Sequence, residues 1–285
     1  MDAVTPELES LKARLKATWM AGDYGLIAKS TESGAEEFIT QLALKPGTRL
    51  LDVACGNGNV AIVAARVGAA AIGVDIAPNL LEEGRERAKA EGLTIQFDEG
   101  DAEQLPYPDA AFDVVVSMFG AMFAPRPGLA AAELVRVCRS GGRIAMANWT
   151  PAGFAGQILK TVGRYAPPPP DVPPPVQWGD EATVRERLRD GVGDLQMTKR
   201  MCPINYPFPP SEVVEFFRTY FGPVNRAFAA LDEDGQVSLR RDLECAAPHQ
   251  NGPAGNTGLD DVLPGMARRV LDAAYRRSDA VHAQP

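Results

Sequence analysis

Two rhythms of apolar and polar positions alternate along the first half of the chain. Short apolar-rich runs at 50–53, 70–74, 94–97, 112–117 and 143–148 are separated by longer stretches with apolar residues three or four apart. The short runs predict strands buried on both faces, and the longer stretches predict amphipathic helices. The helices expected between and before them cover Pro6–Ala21, Glu32–Ala43, a segment from Asn59, a segment from Ala77-Pro78, and Leu129–Arg139. Thr5 is placed to cap the first, whose stripe is Leu8, Leu11, Leu15 and Trp19. Gly141-Gly142 is read as the stop of the last. Five strands alternating with helices predict an α/β chain with a parallel, doubly wound sheet.

Beyond Trp149 the rhythm changes. Residues 167–175 hold seven prolines in nine positions, which favours a stiff extended strap and excludes a regular helix or central strand. After it come an expected helix near Asp180–Arg189, a sixth strand near Leu195–Ile204, and helices over Pro210–Phe221 and Asp232–Cys245. Gly252–Gly258 reads as a loop. Arg268–Arg276 reads either as a strand or, from Val270, Leu271 and Ala274, as a helix.

The chemistry concentrates where the first strand ends, in Leu-Leu-Asp-Val-Ala-Cys-Gly-Asn-Gly-Asn-Val-Ala at 50–61. A strand, a glycine turn and a helix make a nucleotide-binding arrangement, and Gly56-x-Gly58-x-x-Ala61 fits the relaxed dinucleotide fingerprint. Asp52 argues against a dinucleotide. Its carboxylate, four residues before Gly56, is expected to face the ligand crevice, where it repels a pyrophosphate and attracts an ammonium group. S-adenosylmethionine carries such a group and no phosphate. The second strand ends at Asp75, 17 residues beyond Gly58, close to the spacing of an acid that accepts from ribose hydroxyls.

These motifs resemble the class I S-adenosylmethionine-dependent methyltransferases, whose first motif is an acidic residue before a glycine-rich turn. Ala54 replaces the first glycine usual there, at little cost in space. The resemblance runs from Leu50 to about Trp149. It implies a seven-stranded Rossmann-like sheet in the order 3-2-1-4-5-7-6, with Arg268–Arg276 as the antiparallel seventh strand. The core is similar to type 11 small-molecule methyltransferases and to ubiquinone and menaquinone C-methyltransferases. As cofactor residues it implies Tyr24, Asp52, Ala54, Cys55, Gly56, Gly58, Asp75 and Ile76, with Asp101 and Ala102 on an adenine loop and Ser117 and Met118 at the end of strand four. It implies S-adenosylhomocysteine as the product, and a leading helix that folds over the cofactor, with Trp19 and Tyr24 closing the site.

Residues 1–149 are thus expected to form the cofactor domain, and 150–285 the remaining strands with a cap. Ligands in open α/β sheets bind beyond the carboxyl ends of the strands. The excursions at about 150–194 and 205–265 begin there, and are expected to form the acceptor-binding cap. Phe119, Phe123, Trp149 and Trp178 are expected to line its pocket, with Phe154, Phe208, Phe216, Phe217 and Phe221 as further candidates. His249 is the candidate base should the acceptor need to lose a proton; His282 lies in a polar tail.

The 285 residues carry a net charge of −8 and a pI near 5.0, which disfavours a nucleic-acid partner. Cys55, Cys138, Cys202 and Cys245 have no metal-ligand spacing, so no metal is expected, and free thiols in a reducing cytoplasm are the plain reading. No membrane span is expected, and a monomer or homodimer fits equally. The leading expectation is methylation of O, N or C on a small apolar metabolite. A non-catalytic protein that senses S-adenosylmethionine and uses the Pro-rich strap for a partner is the alternative. An NAD-dependent oxidoreductase is third.

Overall fold

The computed structural model describes residues 5–203, 206, 208–246 and, for the backbone alone, 267–277. Helices α1 (Pro6–Trp19), α2 (Tyr24–Ala28) and α3 (Glu32–Leu42) lead into β1 (Arg49–Val53). There follow α4 (Asn59–Arg66), β2 (Ala70–Asp75), α5 (Pro78–Ala90), β3 (Gln96–Glu99), β4 (Phe112–Met118), α6 (Pro127–Val137) and β5 (Cys138–Trp149). The first excursion holds α7 (Phe154–Tyr165), a 3₁₀ turn at Pro175–Gly179 and α8 (Glu181–Arg187), and returns in β6 (Val192–Pro203). The second holds α9 (Pro210–Tyr220), α10 (Gly222–Ala229) and α11 (Glu233–Ala246), and returns in β7 (Ala267–Arg277).

The sheet order is β3-β2-β1-β4-β5-β7-β6, as expected. The first five strands run parallel, and β7 runs antiparallel between β5 and β6. The central strands explain themselves: Leu50, Leu51, Val53, Val115 and Val116 are all fully buried. Removing these β-branched and leucine side chains from water on both faces is what fixes β1 and β4 at the middle of the sheet. Arg268–Arg276 is a strand, its helix-like spacing overridden by pairing on both edges.

Four local readings are corrected. Helix α6 stops at Val137, and Gly141-Gly142 lie inside β5. Cys138 pairs with Phe112 and Arg143 with Val114, so residues 139–142 form an irregularity in the ladder. Gly142 has no room for a side chain there, since a Cβ would meet Cys138 Sγ at 2.7 Å and the Asp113 carbonyl at 2.9 Å. Strand β3 starts two residues later than expected, and its Phe97 ring packs against Gly58, Gly73 and Gly84, where a Cβ would strike it. Helix α7 escaped the sequence pattern, although its Phe154, Ile158 and Val162 repeat every four residues. So did α10, which follows α9 with only Phe221 between them.

Candidate active site

β1 delivers Asp52 to the carboxyl edge of the sheet, 1% exposed, and the chain then turns sharply through Ala54 (φ +54°), Gly56 (φ +55°) and Gly58 (φ +82°). Asp52 Oδ2 accepts from the Ala61 amide at 3.0 Å, so the strand's own carboxylate caps the first turn of α4. Asp75, 8% exposed at the end of β2, accepts from the Gly56 amide at 2.8 Å and the Ala77 amide at 2.9 Å. Burial pushes the Asp52 carboxyl up to about 8, against the pull of the Ala61 amide. Burial also raises Asp75, its backbone amides opposing. Under them Cys55 is a buried thiol, raised by burial and then by the two carboxylates, and inert as a nucleophile.

A cavity of about 1040 Å³, measured out to its open mouth, lies over these carboxylates. Ala54–Asn57, Asp75-Ile76, Gly100–Ala102 and Met118–Ala121 reach it from the ends of four parallel strands. Helix α1 covers it with Lys12, Leu15 and Trp19, and α2 with Tyr24. Lys12 is ion-paired to Asp101 and, at 2.8 Å, to Glu103, and Lys16 is paired to Glu99. Asp101 also accepts from the Glu103 amide at 2.9 Å, which sets the conformation of the loop.

A second cavity of about 520 Å³ shares the wall of Trp19, Tyr24, Thr31, Phe119 and Phe123 with the first. Its remaining lining is Trp149 of β5, Phe154 and Ile158 of α7, Phe217 of α9, Phe221, and the polar pair Ser30 and Tyr206 among others. Trp19 packs edge-on against Phe123 at 4.8 Å and Tyr24 at 5.5 Å. Phe119 and Trp149 are stacked at 3.6 Å and 8°. Phe119 holds φ +63° while 4% exposed, an outlier for a bulky residue of the kind that collects at working sites.

The family model described as a methyltransferase domain matches residues 51–146. The chain is 38% identical over 246 residues to the uncharacterised protein Rv1405c of Mycobacterium tuberculosis, covering 86% of this chain and 90% of the relative. It is 36% identical over 124 residues to the demethylmenaquinone methyltransferase of Deinococcus radiodurans, covering 42% of this chain and 52% of that one. Among solved structures, the YcgJ protein of Bacillus subtilis matches with a TM-score of 0.55 at 18% identity, over 86% of this chain and 99% of that one, and so shares the fold. The chain belongs to the class I S-adenosylmethionine-dependent methyltransferases.

The residues present fit that cofactor better than a phosphate. The two amides a pyrophosphate needs at such a turn, those of Gly56 and Ala61, are already donated to Asp75 and Asp52. What faces the cavity instead is a pair of buried carboxylates, suited to hydroxyls and to a cation. Of the expected cofactor residues, Tyr24, Asp52, Ala54, Cys55, Gly56, Asp75, Ile76, Asp101, Ala102 and Met118 of the methyltransferase line the first cavity.

Gly58 and Ser117 line neither cavity. Gly58 is needed for its φ and because a Cβ would strike the Phe97 ring at 2.8 Å. Ser117 is a latch: its hydroxyl donates to the Val53 carbonyl at 2.7 Å and accepts from the Ala121 amide at 2.9 Å. Of the residues expected in an acceptor pocket, Phe119, Phe123, Trp149, Phe154, Phe217 and Phe221 line the second cavity, but Trp178 does not. Trp178 is 1% exposed with the Arg187 guanidinium 4.8 Å over its ring, and it anchors the strap. Phe208 and Phe216 line neither cavity; they pack against Tyr206, with centroids 6.3 and 5.6 Å away. His249 lies outside the described residues. The sequence reading missed Lys12, Ser30 and Tyr206. Lys12 was detectable, since it falls on one helix face with Leu15 and Trp19.

Proposed function

We propose that this methyltransferase transfers a methyl group to O, N or C of a small, apolar organic acceptor, with cofactor in the first cavity and acceptor in the second. The observation that carries the reading is the shared wall: an apolar chamber lies beside the carboxylate-floored one, with Trp19, Tyr24, Phe119 and Phe123 lining both. In this reading Asp75 takes the ribose hydroxyls, Asp52 the ammonium group, and the Asp101-Ala102 loop the adenine. Ile76, Met118 and Tyr24 pack around them.

S-adenosylmethionine supplies an electrophilic methyl group on a sulfonium. The protein's own work is then to hold the acceptor in line and exclude water. Positioning of this kind supplies roughly 7–11 kcal/mol toward a bimolecular step. The aromatic wall serves both ends. Its rings desolvate the acceptor, and their faces tolerate a neighbouring cation. Cys55, Cys138, Cys202 and Cys245 are thiols rather than disulfides, which supports a reducing, cytoplasmic setting. No helix among the described residues is long and apolar enough to cross a membrane.

The test is to incubate the protein with cell-extract metabolites and isotopically labelled S-adenosylmethionine, then follow the label by mass spectrometry. The label is expected in a small, lipophilic product. Label recovered only in protein, nucleic acid or a highly polar metabolite would refute the proposed acceptor class.

A further inference from the structure

Most of the described residues that line the second cavity are aromatic, although aromatic residues make up only 7% of the chain. The angles between their rings say what shape they enclose. Trp19 stands at 70° to Phe123 and 62° to Phe221, with centroids 4.8 and 6.2 Å away. Phe221 in turn stands at 56° to Phe217, 5.8 Å away. Rings set at such angles wall a corner and suit a rounded group. A flat acceptor needs a slot between two parallel walls. The one parallel pair among the described residues, Phe119 and Trp149, is closed on itself at 3.6 Å.

The same chamber favours one kind of charge. The faces of aromatic rings are negative and attract cations, quaternary ammonium groups among them. Trp19, Tyr24, Phe119 and Phe123 line both cavities, so a positive charge that passes from one cavity to the other stays among rings. Among the described residues no Asp, Glu, Lys, Arg or His lines the second cavity. An anion buried there has no counter-charge. An acceptor that must lose a proton from O–H or C–H finds none of these groups there to take it. The free base of an amine needs none.

Resting on the assignment of the second cavity to the acceptor, we propose that the acceptor is a hydrocarbon-rich tertiary amine, methylated as its free base to a quaternary ammonium ion that the aromatic corner holds. The nitrogen lone pair forms the new N–C bond while the C–S bond breaks, its electron pair going to sulfur. The sulfonium becomes a neutral thioether and the amine becomes a cation. One positive charge moves and no proton does. While the sulfonium is present, a protonated amine meets a like charge in a dry chamber, which favours the free base.

The test is calorimetry on the full chain with two probes of one shape, phenyltrimethylammonium and tert-butylbenzene. Each is titrated into protein saturated with S-adenosylhomocysteine, and again with S-adenosylmethionine. With S-adenosylhomocysteine the cation is expected to bind about 10-fold more tightly than the hydrocarbon, as a desolvated cation–π contact allows. With S-adenosylmethionine that preference should shrink roughly fivefold or more, because two positive charges then share the rings. Trp19→Leu keeps an apolar wall, and should weaken the cation roughly fivefold while leaving tert-butylbenzene within about twofold. Phe221→Leu, which touches the second cavity alone, should act in the same direction and decides the matter if Trp19→Leu fails to fold. In the labelled-cofactor experiment on cell extract, the label is expected in a lipophilic quaternary ammonium ion. Label in a lipophilic ether, ester or C-methyl product would overturn this proposal and leave the broader acceptor class standing. So would a hydrocarbon that binds as tightly as the cation, or equal losses of the two probes in the variants. Binding of neither probe would overturn the proposal together with the assignment of the second cavity. No heat with S-adenosylhomocysteine would refute the assignment of the first cavity, and with it both readings of the second.

Discussion

Ala54 stands in a left-handed conformation that its Cβ opposes, at φ +54°. The sequence shows the missing glycine, but volume is the wrong measure of its cost. Space is made elsewhere, by Gly120, where a Cβ would run into the Ala54 carbonyl. The strain remains in the backbone, at roughly 1–2 kcal/mol for an L-residue. Ala54→Gly should therefore raise stability by about 1 kcal/mol after the added unfolded-state entropy of glycine, or about 2–4 °C in Tm for a chain of this size. A thermal melt that is unchanged or lowered would show the turn is relaxed as it stands. Asp52 gives a second test. Its carboxyl is raised to about 8 by burial, so the free protein keeps a proton there that the unfolded chain releases near 3.8. Stability contributed by that proton is full below about 4 and is lost as pH rises through about 8, relative to Asp52→Asn. An ammonium group brought beside Asp52 ionises it. S-adenosylmethionine binding at pH 7 should then release close to one proton, measured by calorimetry in buffers of different ionisation enthalpy, and Asp52→Asn should release none. At Asp75 the choice of variant matters. Its carboxylate also holds the Gly56 and Ala77 amides, so Asp75→Ala loosens the turn as well as the ligand site. Asp75→Asn keeps one acceptor oxygen and is expected to weaken cofactor binding by about 1–3 kcal/mol.

Helix α1 is held by charge as well as by packing. None of its residues is fully buried, and it meets the body of the protein through the ion pairs of Lys12 and Lys16, the Trp19 ring and its packing on α10, where Arg226 donates to the Ala17 carbonyl at 3.1 Å. Glu103 on the opposite side has a side chain that is 0% exposed, and it accepts from the Arg126 amide at 2.6 Å and Nε at 2.8 Å as well as pairing with Lys12. Removing one partner of a buried ion is costly, so Arg126→Met should destabilise by about 3 kcal/mol in urea unfolding. Lys12→Met leaves Arg126 in place and should cost only about 1 kcal/mol. Equal losses would mean that Glu103 depends on both cations alike. The amphipathic stripe made α1 legible in the sequence, because helical periodicity survives even where the helix merely lies on a surface. The ends of α6 and β5 were not legible. A glycine pair ends a helix or kinks a strand with the same residues, and only the pairing of Cys138 with Phe112 decides between them.

For the whole molecule, the strand order and the side on which the cavities open were both readable, because parallel strands with right-handed crossovers leave few arrangements. The cap's internal packing was not. The Pro-rich segment was expected to bring Trp178 to the acceptor, whereas the first excursion reaches the second cavity through α7, with Phe154 and Ile158. The strap's tryptophan lies beneath instead, with Gly179 packed so closely on the end of β5 that a Cβ would meet Thr150 Cα at 2.5 Å. Stiffness predicted from proline says that a segment stays put; it does not say which of its side chains faces a cavity. The two aromatics therefore separate by experiment. Trp178→Ala removes a fully buried side chain and should cost about 3–5 kcal/mol of stability. It should carry no selective effect on acceptor once the protein is folded. Phe154→Leu keeps an apolar residue at the wall of the second cavity and away from the first. It should change KM or kcat for the acceptor at least fivefold, with S-adenosylmethionine affinity held within twofold, a difference below ~0.5 kcal/mol. If Phe154→Leu instead weakened cofactor binding and left acceptor kinetics alone, the two cavities would not be divided between cofactor and acceptor, and the second excursion's α9 would have to be tested as a cofactor clamp.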